Sequence, residues 1–367
     1  MVSEIISFIF LSLYFFLISV FIFGFIQLKS FSVNKKIKKN IVKISVLIPF
    51  KNGQINLPLL VSGLKTQTLD TNLYEIIFIN DHSEDKSETL LSDLITDIPN
   101  FRILSLQNEK NGKKQALKEG IRKAENELIV TSDADCRYQK KWLETIYNYY
   151  SEHNPKMIIA PVIMTGTTFF GRLQALDFLS LAASAAGAAG IGHPIMCNGA
   201  NLVYEKAVFN EFEDAMYMNE ISGDDVFLLH NFKKKYPEKI HYLKSEDAVV
   251  YTKSEKTFNK FSKQRIRWAS KSSSYTDFDT IFVSIIVFII NLILISAVFL
   301  TLFKVLTFNN LFILFLIKFI PDIILLITFG IYFKQRKLLF YIPFLSIIHP
   351  FYIVFTGITG LLKKSKQ

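Results

Sequence analysis

From residue 5 to residue 28 the chain carries no charged side chain. In a bilayer every backbone N–H and C=O has to be satisfied within the chain, so a run this long predicts a membrane-crossing helix. A cleaved leader fits less well. The segment has Glu4 and no Lys or Arg before it, and no small-x-small site precedes the basic stretch that follows. That stretch holds Lys29, Lys35, Lys36, Lys38, Lys39 and Lys43. By the positive-inside rule it lies in the cytoplasm together with the polar segment after it.

The same apolar character returns at the other end. Residues 281–303 are uncharged, and residues 311–333 carry Lys318, Pro321 and Asp322. Lys318 and Asp322 are four apart, so they can pair on one helix face, as a functional pair inside the span or at headgroup level beside a proline kink. Lys334, Arg336 and Lys337 then return the chain to the cytoplasm. Residues 338–362 are apolar but interrupted by Pro343, His349 and Pro350. A third C-terminal span would leave Lys363, Lys364 and Lys366 outside, whereas a re-entrant hairpin bent at His349-Pro350 would not. The net charge of +10 comes from Lys residues clustered beside apolar segments. An anionic membrane surface is therefore the expected partner, and no nucleic acid. Two cysteines, Cys136 and Cys197, give neither a disulfide framework nor a metal spacing, which fits a reducing compartment.

Three divisions follow: a transmembrane helix over 1–28, a cytoplasmic domain over 29–280, and a membrane region over 281–367. The middle one alternates strands and helices. Residues 43–50 and 75–80 read as buried strands, 101–106 and 128–130 as two more, with helical spacing over 55–67 and from 113 to 124. This pattern predicts an α/β fold with a largely parallel sheet and right-handed crossovers. Two of the strands run into acidic clusters, Asp81-His82-Ser83-Glu84-Asp85 and Asp133-Ala134-Asp135. Acidic groups at the C-terminal ends of parallel strands lie on the ligand-binding edge. Paired hard oxygens there suit Mg²⁺ or Mn²⁺. Residues 169–190 are broken by Arg172 and Asp177 and read as an interfacial helix or a soluble core helix.

Ordered motifs over about residues 43–275 resemble the family 2 glycosyltransferases. They are Ser45-Val46-Leu47-Ile48-Pro49, Asn80-Asp81-His82-Ser83-Glu84-Asp85, Gly112-Lys113-Lys114-Gln115-Ala116-Leu117, Asp133-Ala134-Asp135, Cys197-Asn198-Gly199-Ala200-Asn201-Leu202, Gly223-Asp224-Asp225 and Gln264-Arg265-Ile266-Arg267-Trp268. The last is similar to the Gln-x-x-Arg-Trp signature of the membrane-bound branch. The resemblance implies the GT-A fold, a nucleotide-sugar donor and inversion at the anomeric carbon. It departs at Asn80, where the family has Asp in an Asp-Asp-Gly-Ser cluster.

The roles implied are specific. Asp135, with Asp133, would hold the divalent ion. Asn80 and Asp81 would bond the nucleoside, and Lys113 or Lys114 would reach the donor or simply start a solvated helix. Asp225 would be the general base, with Asp224 orienting it or the acceptor, although an Asp at a helix start is also a good N-cap. Gln264, Arg267 and Trp268 recur at helical spacing, with Arg267 suited to diphosphate oxygens and Trp268 to stacking on the acceptor. Lys263, Arg265 and Lys271 would anchor the same helix at a bilayer. The acceptor expected is a lipid or a membrane-associated glycan, because four spans are few to enclose a polymer channel. A short processive polysaccharide synthase is the alternative. A nucleotidyltransferase also uses paired carboxylates, and a catalytically inactive membrane partner is an alternative of another class.

Overall fold

The computed structural model describes residues 2–33, 42–107, 111–212 and 224–364. Lys35, Lys36, Lys38, Lys39, Gly223 and Lys366 lie outside the described residues, as do the side chains of Asp224, Lys363 and Lys364. In chain order the elements begin α1 (Val2–Gln27), β1 (Ile44–Phe50), α2 (Leu57–Lys65), β2 (Tyr74–Asn80), α3 (Ser87–Ile95), β3 (Phe101–Ser105), α4 (Lys113–Lys123) and β4 (Leu128–Thr131). They continue with β5 (Arg137–Tyr138), α5 (Trp142–His153), β6 (Met157–Ile159), β7 (Val162–Thr165), α6 (Phe169–Gly190), β8 (Leu202–Glu205), α7 (Lys206–Asn210) and α8 (Asp224–Lys235). The last are β9 (Ile240–Tyr242), β10 (Val250–Lys253), α9 (Phe258–Ser270), α10 (Phe278–Leu302), α11 (Phe308–Tyr332) and α12 (Ile342–Lys364). These elements form two compact units, one of Leu28–Ile163 and Cys197–Lys253, the other of Met1–Gln27, Met164–Met196 and Ser254–Gln367.

The first is an α/β unit on a seven-stranded sheet of order β3-β2-β1-β4-β8-β6-β9. β1 pairs in parallel with β2 on one side and β4 on the other, and β2 with β3. All seven residues of β1 are buried, as a strand covered on both faces requires. The mostly parallel sheet expected from the alternation is therefore what forms. One strand departs from it: β8 runs antiparallel between β4 and β6. Sheet growth reverses at β1, whose two neighbours were laid down before and after a further crossover. In an open α/β sheet the ligand crevice lies at such a point, outside the strands' carboxyl ends. Both acidic clusters belong to this edge.

The second unit is helical. Among the described residues four helices are long and apolar enough to cross a membrane: Phe8–Gln27, Phe278–Leu302, Phe308–Tyr332 and Arg336–Leu362. The second and third of these are capped at their N-terminal ends by short polar side chains. Asp277 accepts from Thr280 N–H at 2.9 Å and Thr307 from Asn310 N–H at 3.3 Å. Of the two forms open for residues 338–362, the chain takes a 3₁₀ turn over Arg336–Tyr341 and then one helix running unbroken past Pro350, with no hairpin. Pro321 likewise sits inside α11 without ending it. The segment 169–190 is the single helix α6, capped by Thr168 and largely buried along its second half. Both α6 and α9 group with the apolar helices in this unit.

Candidate active site

The turn Gly199–Asn201 is the part around which the acidic groups of the α/β unit are fixed. From β4 above it, the Thr131 hydroxyl donates to the Gly199 carbonyl at 2.7 Å and the Ser132 hydroxyl to the Ala200 carbonyl at 2.8 Å. Both side chains are buried. Asp133 and Asp135 follow directly, so their position is set by bonds beneath the turn that carries them. From the other side, Gly199 N–H donates to Asp225 Oδ2 at 2.9 Å. A third strut is the Cys197 thiol, which donates to the Asp225 carbonyl at 3.1 Å. Asp225 and the Asp133-Ala134-Asp135 turn thus hang on one three-residue turn, although 90 positions separate them in sequence.

Within this frame the residues divide. Asp133 meets the Lys113 ammonium at the start of α4. Lys113 is half exposed, so the solvated helix start and the ion pair coexist. The Asp135 carboxyl is held above its ordinary range by burial first and by the like charge of Asp133 second. The Thr252 hydroxyl of β10 donates to its Oδ2 at 3.4 Å. Asp225 lies in the first turn of α8 and accepts from Val226 N–H at 3.0 Å. Val226 is the next residue, whereas a capping side chain accepts from an N–H two or three residues on, so this bond is not a cap, and each carboxylate oxygen keeps a further lone pair. Asp224 opens α8. Lys114 borders a small pocket together with Thr131, Gly199 and Asp225.

Two residues with expected donor roles are engaged by the protein's own backbone. Asn80 is buried, its amide N–H donates to Glu88 at 2.7 Å, and its carbonyl accepts from Ser83 N–H at 3.0 Å. Asp81 accepts from Gly112 N–H with both oxygens, at 3.0 and 3.1 Å. Gly112 has φ +92°, a backbone that side chains other than glycine's rarely adopt. Asp81 thereby ties the end of β2 to the start of α4, and Lys113 follows from that tie. Sequence reasoning missed the Gly199 turn as an organiser. Its signal was the polar pair Thr131-Ser132 inside an otherwise apolar strand end.

Gln264, Arg267 and Trp268 stand on α9, in the helical unit. Gln264 donates to Glu255 at 3.3 Å, and Arg267 is exposed. The bilayer-anchor reading fails for Arg265. Its guanidinium is buried, pairs with Asp177 of α6 at 2.8 Å and lies 4.2 Å from the centre of the Trp268 ring. A buried carboxylate in a helix rich in Ala needs a cation, and Arg265 meets Asp177 where a snorkelling side chain would leave it uncompensated.

Residues 45–212 match the family model described as Glycosyl transferase family 2. The chain is 32% identical over 119 residues to the poly(ribitol-phosphate) beta-N-acetylglucosaminyltransferase TarP of Staphylococcus aureus (strain N315), covering 32% of this chain and 36% of that one. It is 36% identical over 107 residues to the undecaprenyl-phosphate 4-deoxy-4-formamido-L-arabinose transferase of Yersinia pestis (strain Pestoides F), covering 29% and 32%. The matched stretch spans about a third of the length of these relatives. Among solved structures, the mannosyltransferase PcManGT from Pyrobaculum calidifontis, in complex with GDP-Man and Mn²⁺, aligns over 98% of this chain and 99% of its own with a TM-score of 0.57 at 13% identity. This likeness is one of fold, and the fold is the GT-A type.

Proposed function

We propose that the chain is a membrane-bound, inverting glycosyltransferase that moves a sugar from a nucleotide-sugar donor to a lipid acceptor, with its catalytic residues in the cytoplasm. The observation that carries this reading is the common anchoring of Asp133, Asp135 and Asp225 on the Gly199 turn, at the carboxyl edge of a parallel sheet. The family match over residues 45–212 supports it, as do relatives named as sugar transferases on polyprenyl-phosphate and poly(ribitol-phosphate).

Asp133 and Asp135 fit a divalent cation, Mg²⁺ or Mn²⁺. They are hard oxygen donors two residues apart, the donor chemistry such a cation takes. Asp133 and Asp135 would hold the cation, and the donor's diphosphate would supply further oxygens. The bound cation supplies Lewis acidity to the leaving diphosphate. Lys113, already beside Asp133, adds charge on the same side. Asp225 takes the proton of the acceptor hydroxyl as its oxygen attacks the anomeric carbon. The bond to the diphosphate breaks on the opposite face, and the configuration inverts. Asn80 and Asp81 hold the loops that line the nucleoside side.

Membranes carrying the protein, incubated with a panel of labelled nucleotide sugars, should release nucleoside diphosphate and place label in the lipid fraction. Label in polymer would favour a polysaccharide synthase. Release of pyrophosphate would mean nucleotidyl transfer and would overturn the reading.

A further inference from the structure

The helical unit encloses a cavity of about 670 Å³, lined from α1, α6, α9, α10, α11 and α12. That volume is within the ~300–1,000 Å³ typical of small-molecule sites. Most of its wall is apolar, with Ile18, Leu181, Val283, Phe288, Leu325 and Ile353 among the lining side chains. Four of the six contributing helices are long and apolar enough to cross a membrane, so hydrocarbon is the natural filling. Yet the wall also carries Asp177, Lys318, Asp322 and His349. Ionisable groups in such segments are expensive and mark binding sites by default.

The charges are matched in pairs. Lys318 and Asp322 pair at 2.7 Å, and Tyr14 donates to Asp322 at 2.5 Å. Asp177 pairs with the buried Arg265 behind it and accepts from Tyr352 at 3.4 Å. Lys318 and Asp322 answer each other and Arg265 answers Asp177, so a phosphate placed on this wall would meet two carboxylates. What remains for a ligand is hydrogen bonding. His349 Nδ1 is buried without a hydrogen-bond partner, and the hydroxyls of Ser180 and Ser184 line the same space. Trp268 lines it too, with the Arg265 guanidinium over its ring.

We infer that this cavity holds the hydrocarbon and adjoining hydroxyl groups of an uncharged lipid alcohol, and that this lipid is the sugar acceptor. The inference rests on the glycosyltransferase reading and narrows its acceptor to a neutral lipid. The wall is apolar for the chain, its charges cancel, and its unsatisfied polar atom suits a hydroxyl. Trp268 then stacks on the lipid at the cavity wall.

The test uses the full-length protein in nanodiscs with labelled nucleotide sugar. Acceptors are long-chain alcohols and diacylglycerols of graded chain length, alongside a polyprenyl phosphate. The variants are Val287→Phe and Ser346→Leu, which fill the cavity from α10 and α12 and touch none of the proposed catalytic or ligand-bonding groups. Neutral acceptors should be used at least tenfold better than lipid phosphate, with a rate that rises with chain length to a cut-off. Both variants should move that cut-off to shorter chains while donor hydrolysis in the absence of lipid stays unchanged, a shift that general destabilisation would not produce. Preference for the lipid phosphate, or the same cut-off in wild type and both variants, would overturn the inference and leave the transferase reading standing. Absence of any donor turnover would sink both.

Discussion

At Asp225 the structural and chemical demands fall on the same two oxygens. Oδ2 holds Gly199 N–H and Oδ1 holds Val226 N–H. Asp225→Asn keeps one acceptor and turns the other into a donor facing an N–H, a cost of about 1 kcal/mol. The protein should stay folded and bind donor, while single-turnover transfer falls by roughly 10²–10⁴ if the residue is the base. Near wild-type turnover would leave Asp225 only the structural tie to the Gly199 turn. Asp135 makes the opposite pairing of effects. Its carboxyl is raised by burial and by Asp133, so the native state holds that proton to higher pH than the unfolded chain does. Stability from this group is therefore lost as pH rises through the ordinary carboxylate range toward the raised value. With chelator at neutral pH, Asp135→Asn should melt no lower than wild type, yet it should lose metal-dependent transfer as fully as chelation does. A lowered melting temperature with activity retained would make Asp135 a structural residue.

Helix α1 shows how an element can be legible in kind and illegible in detail. Its uncharged run announced a span, but not what it packs on. Gly24 of α1 and Gly187 and Gly190 of α6 lie backbone to backbone, and a Cβ built on any of the three would overlap the partner helix's main chain. Small residues at a crossing allow that approach. Gly187→Leu should therefore cost about 1–3 kcal/mol and lower the thermal midpoint of the solubilised protein. Phe16→Ala, at a position 68% exposed, should not. An unchanged midpoint for Gly187→Leu would mean that α1 is free to move off α6. The strands β1 to β4 could be read within a residue or two, because each is a short apolar run that announces itself locally. The antiparallel insertion of β8, the burial of Arg265 against Asp177 and the use of Asn80 and Asp81 as backbone ties could not. Each depends on a partner that helical or strand periodicity does not name. Arg265 and Arg267 differ in sequence only by position, and it is Asp177, 88 residues earlier, that decides which one is buried.

Across the whole molecule the two ends of the chain make conflicting demands on orientation. By the positive-inside rule, Lys29, Lys35, Lys36, Lys38, Lys39 and Lys43 after the first apolar helix, and Lys334, Arg336 and Lys337 after the third, would face the cytoplasm. A fourth span would then put Lys363, Lys364 and Lys366 outside. The unbroken course of α12 past Pro350 removes the hairpin that would have avoided this. Nine basic residues on one side against three on the other still favour the same orientation, and a cytoplasmic donor requires it. The expected topology has both termini outside and residues 29–280 inside. A cysteine introduced at Asn111 should react with an impermeant maleimide only after permeabilisation, whereas one appended after Gln367 should react in intact cells. Protection at both sites would mean that α12 stays within the membrane plane and that the C-terminal lysines face the cytoplasm. Labelling at Asn111 in intact cells would place the acidic edge away from its donor and would refute the transferase reading at this scale.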